Sequence, residues 1–146
     1  MANIAKGMLA GLAATIVLSL LMLMKGAMGL MPALDPLGMI AMMMGVSSAI
    51  AWGVHFMIGT VIWGGAFALL EPRLPGGEFW LKGVVFGIGA WLIMMVAMMP
   101  MAGAGFFGMQ LGMMAPVMTL VMHLVYGAVL GGVYVMLLHR GVLNSA

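Results

Sequence analysis

The chain has 146 residues, of which 66% are hydrophobic and only eight are charged, five lysines or arginines and three acids. In a soluble domain about a quarter of all residues are charged, so this composition excludes a water-soluble monomer and a disordered chain. It also excludes a nucleic-acid-binding protein, which needs a basic face. The chain has no cysteine, which excludes disulfides and thiolate metal sites. The remaining class is a polytopic membrane protein whose surroundings are the lipid bilayer.

Four apolar segments are long enough to cross a bilayer, which takes about 20 residues. The apolar stretch 36–70 would make a helix of about 52 Å, too long for one crossing, so we expect a break at 45–48. The first segment exceeds the apolar core of a signal peptide, about 7–15 residues, and is expected to stay as a span. The sequence thus predicts a short segment at 36–45 and spans at about 7–29, 48–70, 82–100 and 116–138. The predicted fold is all-α, a polytopic four-helix membrane bundle in a single domain, 1–146.

The positive charges predict the orientation of the chain. They cluster at the span ends that share a side with the N-terminus, as Lys6, Arg73, Lys82 and Arg140. The positive-inside rule then places both termini in the cytoplasm, at the cytoplasmic membrane of a prokaryote. On the opposite side Lys25 is expected either to extend to the outer headgroups or to pair with Asp35.

The sequence contains an internal similarity that predicts a duplication. Aligning Lys6 with Lys82 places the first span on the third, and aligning His55 with His123 places the second on the fourth. We therefore predict two helical hairpins, 6–73 and 82–141, arranged as a parallel repeat with the same orientation. Small-xxx-small pairs are expected to form close helix contacts at Gly7/Gly11, Gly83/Gly87 and Gly127/Gly131.

Methionines are concentrated in the outer halves of the predicted bundle. Nineteen of the 22 methionines lie in residues 20–57 and 93–122. Thioether sulfur and imidazole both suit Cu(I), and four Met-x-x-Met spacings, 28–31, 39–42, 95–98 and 98–101, place sulfurs one helical turn apart. The candidate copper ligands are Met28, Met31, Met95, Met98, His55 and His123. The alternative is that methionine fills irregular gaps between helices as a flexible apolar residue.

The histidine pair also fits a second cofactor. His55 and His123 are predicted at one depth on facing helices, where they could be the two axial ligands of a b-type haem. Gly59 and Gly127, one turn away, would leave room for the edge of the macrocycle. The alternative is that each histidine bonds a neighbouring helix carbonyl and is structural.

The repeated His-x-x-x-Gly, at His55–Gly59 and His123–Gly127, resembles the small four-span membrane proteins of prokaryotes that are grouped as domains of unknown function. That resemblance implies the architecture and no specific activity. Nothing like a hydrolase nucleophile motif is present, and we expect no enzymatic activity. The expected function is an auxiliary or assembly subunit of a larger membrane complex, such as a respiratory one, associating with other subunits or with itself. The alternatives are Cu(I) handling and a two-histidine haem electron carrier.

Overall fold

The structure, a computed structural model, describes the backbone of residues 3–143 and the side chains of residues 3–139, and all its regular elements are helices. Four are long and apolar enough to cross a membrane, as predicted. These are α1 (Ile4–Ala27), α3 (Ser48–Arg73), α4 (Phe79–Met101) and α5 (Ala115–Leu143). A short helix, α2 (Pro36–Met44), lies between the first two, and a 3-10 turn (Phe106–Leu111) between the last two.

The predicted break near residue 45 is present, and local chemistry explains it. α2 ends at Gly45, whose φ of 64° is a left-handed conformation that glycine adopts without strain. α3 begins after Ser47, whose hydroxyl accepts a bond from the Ile50 amide. The helices α1, α3 and α4 extend up to three residues beyond the predicted spans toward the side of the termini. The side chain of Arg140, used above for orientation, lies outside the described side chains.

The four long helices pack against one another, and their buried apolar residues form two clusters. α5 packs against both α4 and α1, and α1 packs against α3. Between α3 and α4 the contact is aromatic, because Trp63 and Phe67 meet the ring of Phe86 edge-on at 5.8 and 5.4 Å between centroids. The large apolar side chains that face outward, 32 in the described part of the chain, suit a lipid environment.

Glycines allow the closest helix approaches. A Cβ atom on Gly7 would meet the carbonyl of Gly64 in α3, and one on Gly83 would meet the carbonyl of Gly127 in α5. A Cβ on Gly131 would meet the carbonyl of Phe79 in α4. Because association in lipid depends on close van der Waals contact, these glycines hold the helix pairs together. We refer to the end of the molecule at which α1 begins and α5 ends as the proximal end, and to the other as the distal end.

Two adjacent glycines on α5 provide a matched test of this packing. Gly131→Ala forces its new methyl into the α4 backbone, and overpacking of this kind costs about 1–3 kcal/mol. Gly132→Ala is expected to be neutral or slightly stabilising, because no atom lies within 4 Å of the added Cβ. Thermal unfolding in detergent measures both. Equal melting temperatures for the two variants would contradict the glycine contact.

Candidate functional site

A cavity of about 140 Å³ lies between the four long helices and α2, on the distal side of the glycine contacts. Seven methionines line it, together with both histidines predicted as ligands, His55 and His123. The methionines are Met22, Met39, Met43, Met94, Met98, Met99 and Met122. Within the described side chains, no acidic residue lines the cavity. The structure thus brings together two imidazoles and a set of thioethers in one largely apolar space.

His55, on α3, is held by contacts on three sides. Its Nε2 lies 3.1 Å from the hydroxyl of Ser19 on α1. Trp52 and Phe56 meet the imidazole edge-on, with centroid distances of 5.8 and 5.7 Å. The ring orientation is therefore set by neighbours on two helices.

His123, on α5, is fixed by its own helix and by α4. Its Nδ1 lies 2.8 Å from the backbone carbonyl of Thr119, which can only accept a hydrogen bond. A Cβ on Gly87 would meet the carbonyl of His123, so α4 approaches the helix backbone at this residue. The ring is consequently placed by a rigid part of the helix assembly.

The two histidines do not occupy equivalent places in the helix packing. Ser19 contacts His55. When the first span is placed on the third, Ser19 aligns with Met95, and Met95 contacts Thr119 rather than His123. Thr119 lies one helical turn from His123. The two histidines are aligned in the sequence, but they are not equivalent in the packing of the two hairpins. In these helix pairs the partner of Ser19 is His55 and the partner of Met95 is Thr119, whereas the equal depth of His55 and His123 in the membrane stays a prediction.

Two π-helical segments border the cavity. Ile58–Trp63 interrupts α3, and Met94–Met98 interrupts α4. π-Helical turns are rare and occur frequently at functional sites, because they redirect side chains and free backbone carbonyls. The carbonyl of Gly59 in the first segment accepts a 2.6 Å bond from the hydroxyl of Tyr126 on α5. Sequence reasoning missed both segments, and no residue type in them signals a π turn.

The four methionines predicted as copper ligands are distributed differently from the prediction. Met98 lines the cavity. Met95 is fully buried beside it, and its sulfur lies 3.8 Å from the Thr119 hydroxyl. Met28 and Met31 lie beyond the end of α1, so helical spacing does not apply to them, and Met28 is 67% exposed.

The glycines expected to leave room for a macrocycle are occupied by helix contacts. A Cβ on Gly59 would meet the side chain of Thr15, and one on Gly127 would meet the backbone of Gly83. The space in the Cβ direction of these glycines is thus filled by α1 and α4, although the backbone of Gly59 also lines the cavity. The predicted clearance for a haem edge is absent on that side of both glycines.

One family model matches almost the whole chain. A family model described as a family of unknown function, DUF6789, matches residues 1–143. The chain belongs to that family. The resemblance to proteins of unknown function expected from the sequence is therefore confirmed. No curated protein matches the chain, and no solved structure matches it.

The connection that follows α1 is organised by Lys25. Its ammonium donates to the carbonyls of Leu30, Met31 and Leu34 at 3.2, 3.0 and 2.6 Å, and the residue is only 9% exposed. Asp35 instead accepts a bond from the Gly38 amide at 3.0 Å and begins α2. Lys25 therefore neither extends to the headgroups nor pairs with Asp35. It fixes the loop that positions α2 over the cavity.

Replacing Lys25 with methionine tests this clamp. Lys25→Met keeps an unbranched side chain and removes the donor to the carbonyls of Leu30 and Leu34, at a cost of about 1–3 kcal/mol, whereas the Met31 carbonyl still accepts from the Leu34 amide. The melting temperature in detergent should fall. Lys6→Met, in the first turn of the same helix, serves as control and should have a smaller effect. A Lys25→Met protein as stable as the control would show that the clamp contributes nothing to stability.

Proposed function

We propose that this chain is a non-enzymatic integral membrane protein that holds Cu(I) in its distal cavity and makes the ion available on the outer side of the membrane. The observation that carries the proposal is the composition of the cavity wall, with seven methionines and two histidines and no acid. Thioether and imidazole are the neutral ligands that suit Cu(I). A wall without carboxylates disfavours hard divalent cations, which require oxygen ligands.

The donor set supports a soft ion in a second way. Within residues 3–139, no three His, Cys, Asp or Glu side chains group closely enough to hold a metal ion. Besides the two imidazoles, methionine sulfur is the most numerous side-chain donor on the cavity wall. Met22 and Met122, on α1 and α5, line the cavity together with both histidines.

The size of the cavity favours an ion over a macrocycle. A volume of about 140 Å³ is close to that of an engineered cavity of about 150 Å³ that accepts benzene. A haem has four pyrrole rings and would require the helices to separate. The two-histidine haem carrier remains the alternative that a visible spectrum tests directly.

The positive-inside rule supports an outer position for the cavity. Lys6, Arg73 and Lys82 lie at the proximal end, where Lys82 forms a 2.6 Å ion pair with Glu71. With this end in the cytoplasm, both termini are cytoplasmic and the distal cavity lies in the outer half of the membrane. Delivery to a partner would then occur outside the cytoplasm.

A common origin of the two hairpins is part of the proposal. Gly7 approaches Gly64 in the first hairpin as Gly83 approaches Gly127 in the second. These matching contacts support a parallel repeat of four helices in one bundle. The glycine contacts are similar in the two hairpins, whereas the two histidines have different contacts.

An auxiliary or assembly role within a larger membrane complex is compatible with copper handling. The small-xxx-small glycines predicted as association faces are used within the chain, so they do not by themselves argue for partners. Gly53 and Gly89 have no atom near an added Cβ and remain accessible on helix surfaces. Co-purification of further subunits, or of a second copy, is the measurement that bears on this role.

Copper loading tests the main proposal. The purified protein, loaded with Cu(I) under reducing conditions and dialysed, should retain about one copper ion per chain. His55→Ala, His123→Ala and Met122→Leu should each lower the Cu(I) affinity about tenfold or more, because removal of even a supporting group costs about 10–100-fold in metal affinity. Copper analysis and competition with a Cu(I) chelator provide the two readouts.

Two matched variants control for folding and for surface binding. His139→Ala removes an exposed histidine near the proximal end, and Met136→Leu changes a methionine on α5 that is 63% exposed. Both should bind copper like the unmodified chain. A protein that retains no copper, or cavity variants that bind as tightly as these controls, would overturn the proposal. A Soret band that His55→Ala and His123→Ala abolish would establish haem instead.

A further inference from the structure

We propose that Ser19 is a positioning residue that holds His55 as the Nε2–H tautomer, so that Nδ1 is its metal-binding nitrogen, whereas His123 presents Nε2. The inference rests on the proposed function, because it names the histidine nitrogen atoms that would bind Cu(I) in the same cavity. It makes the two histidines chemically different donors. The tautomers themselves exist in the metal-free protein and can be measured without copper.

The hydrogen bonds of Ser19 determine the proton position on His55. The Ser19 Oγ lies 2.7 Å from the carbonyl oxygen of Thr15, and a carbonyl can only accept. The single hydroxyl proton must therefore lie between these two oxygens. Ser19 is then left with lone pairs toward His55, whose Nε2 at 3.1 Å must be the donor. In the neutral ring Nδ1 carries the free lone pair.

The same reasoning gives the opposite result for His123. Its Nδ1 lies 2.8 Å from the Thr119 carbonyl, which has no proton to give. Nδ1 must donate, and the lone pair of the neutral ring is on Nε2. A metal ligand is selected in this way by the bond that the other ring nitrogen makes.

The sequence explains why the two rings differ. Ser19 is a hydroxyl donor and acceptor on α1, and the residue that takes its place in the second hairpin is Met95, which has no hydrogen-bond donor. Tautomer control on His123 therefore comes from its own helix, and that on His55 from a neighbouring helix. Only the control of the His55 tautomer, which comes from the side chain of Ser19, can be removed by a side-chain substitution.

Nitrogen NMR of the metal-free protein, labelled with ¹⁵N-histidine, tests the assignment. Couplings between the ring nitrogens and carbon-bound protons distinguish the two tautomers. The unmodified chain should show Nε2–H on His55 and Nδ1–H on His123. Ser19→Ala should change the His55 pattern toward a mixture and leave His123 unchanged, whereas Ser19→Thr should restore the Nε2–H form. Thr60→Val, which removes another buried hydroxyl, should change neither ring.

Copper binding then separates this inference from the function on which it rests. Ser19→Ala should lower the Cu(I) affinity about tenfold, the lower limit for loss of a group that orients a metal ligand, and Ser19→Thr should recover it. An Nδ1–H form of His55 in the unmodified chain, or a His55 spectrum unaffected by Ser19→Ala, would overturn the positioning role. A protein with the expected tautomers that binds no copper would overturn the proposed function and leave the tautomer assignment intact.

Discussion

Close contact between helix backbones at glycine is the constraint on which the rest of the structure depends. In a lipid environment the helices gain little from burying apolar surface, so their association requires near approach of the backbones. Gly7, Gly83, Gly127 and Gly131 supply that approach. Toward the distal end the facing residues are long methionines and aromatic rings, and the cavity lies among them. The rigid glycine region thus supports a more adaptable methionine region.

Methionine suits that adaptable region for two reasons that act together. Its unbranched side chain fills irregular space, and its sulfur is a soft donor that carries no charge. An acid or a second lysine would be costly to hold at this depth. Lys25, the one cation in this region of the described chain, is stabilised by three carbonyls and kept largely buried. Methionine therefore offers metal-binding atoms at little cost to the stability of the apolar interior.

Sequence reasoning predicted the features that depend on composition and length. Apolar stretches of about 20 residues identified the four long helices, and Gly45 marked the end of α2. The uneven distribution of methionine pointed to the region of the cavity, although Met28 proved to lie outside its wall. The contact of His55 with Ser19 was not predictable, because it depends on how α3 packs against α1, which the side chains at the contact decide. The use of α2 as a cavity wall likewise follows from the loop that Lys25 organises.

The π turn in α3 has a further consequence for how the two halves of the chain are related. From His55 to Gly64 there are nine positions, whereas from Thr119 to Gly127, their counterparts in the packing, there are eight. A single extra residue in an α-helix rotates everything beyond it by about 100°. The π-helical turn at Ile58–Trp63 accommodates the extra residue, so the parts of α3 before and after it still present the same faces to the neighbouring helices. A one-residue insertion can in this way be accommodated within a packed membrane span, because the helix contacts on both sides of the insertion are kept.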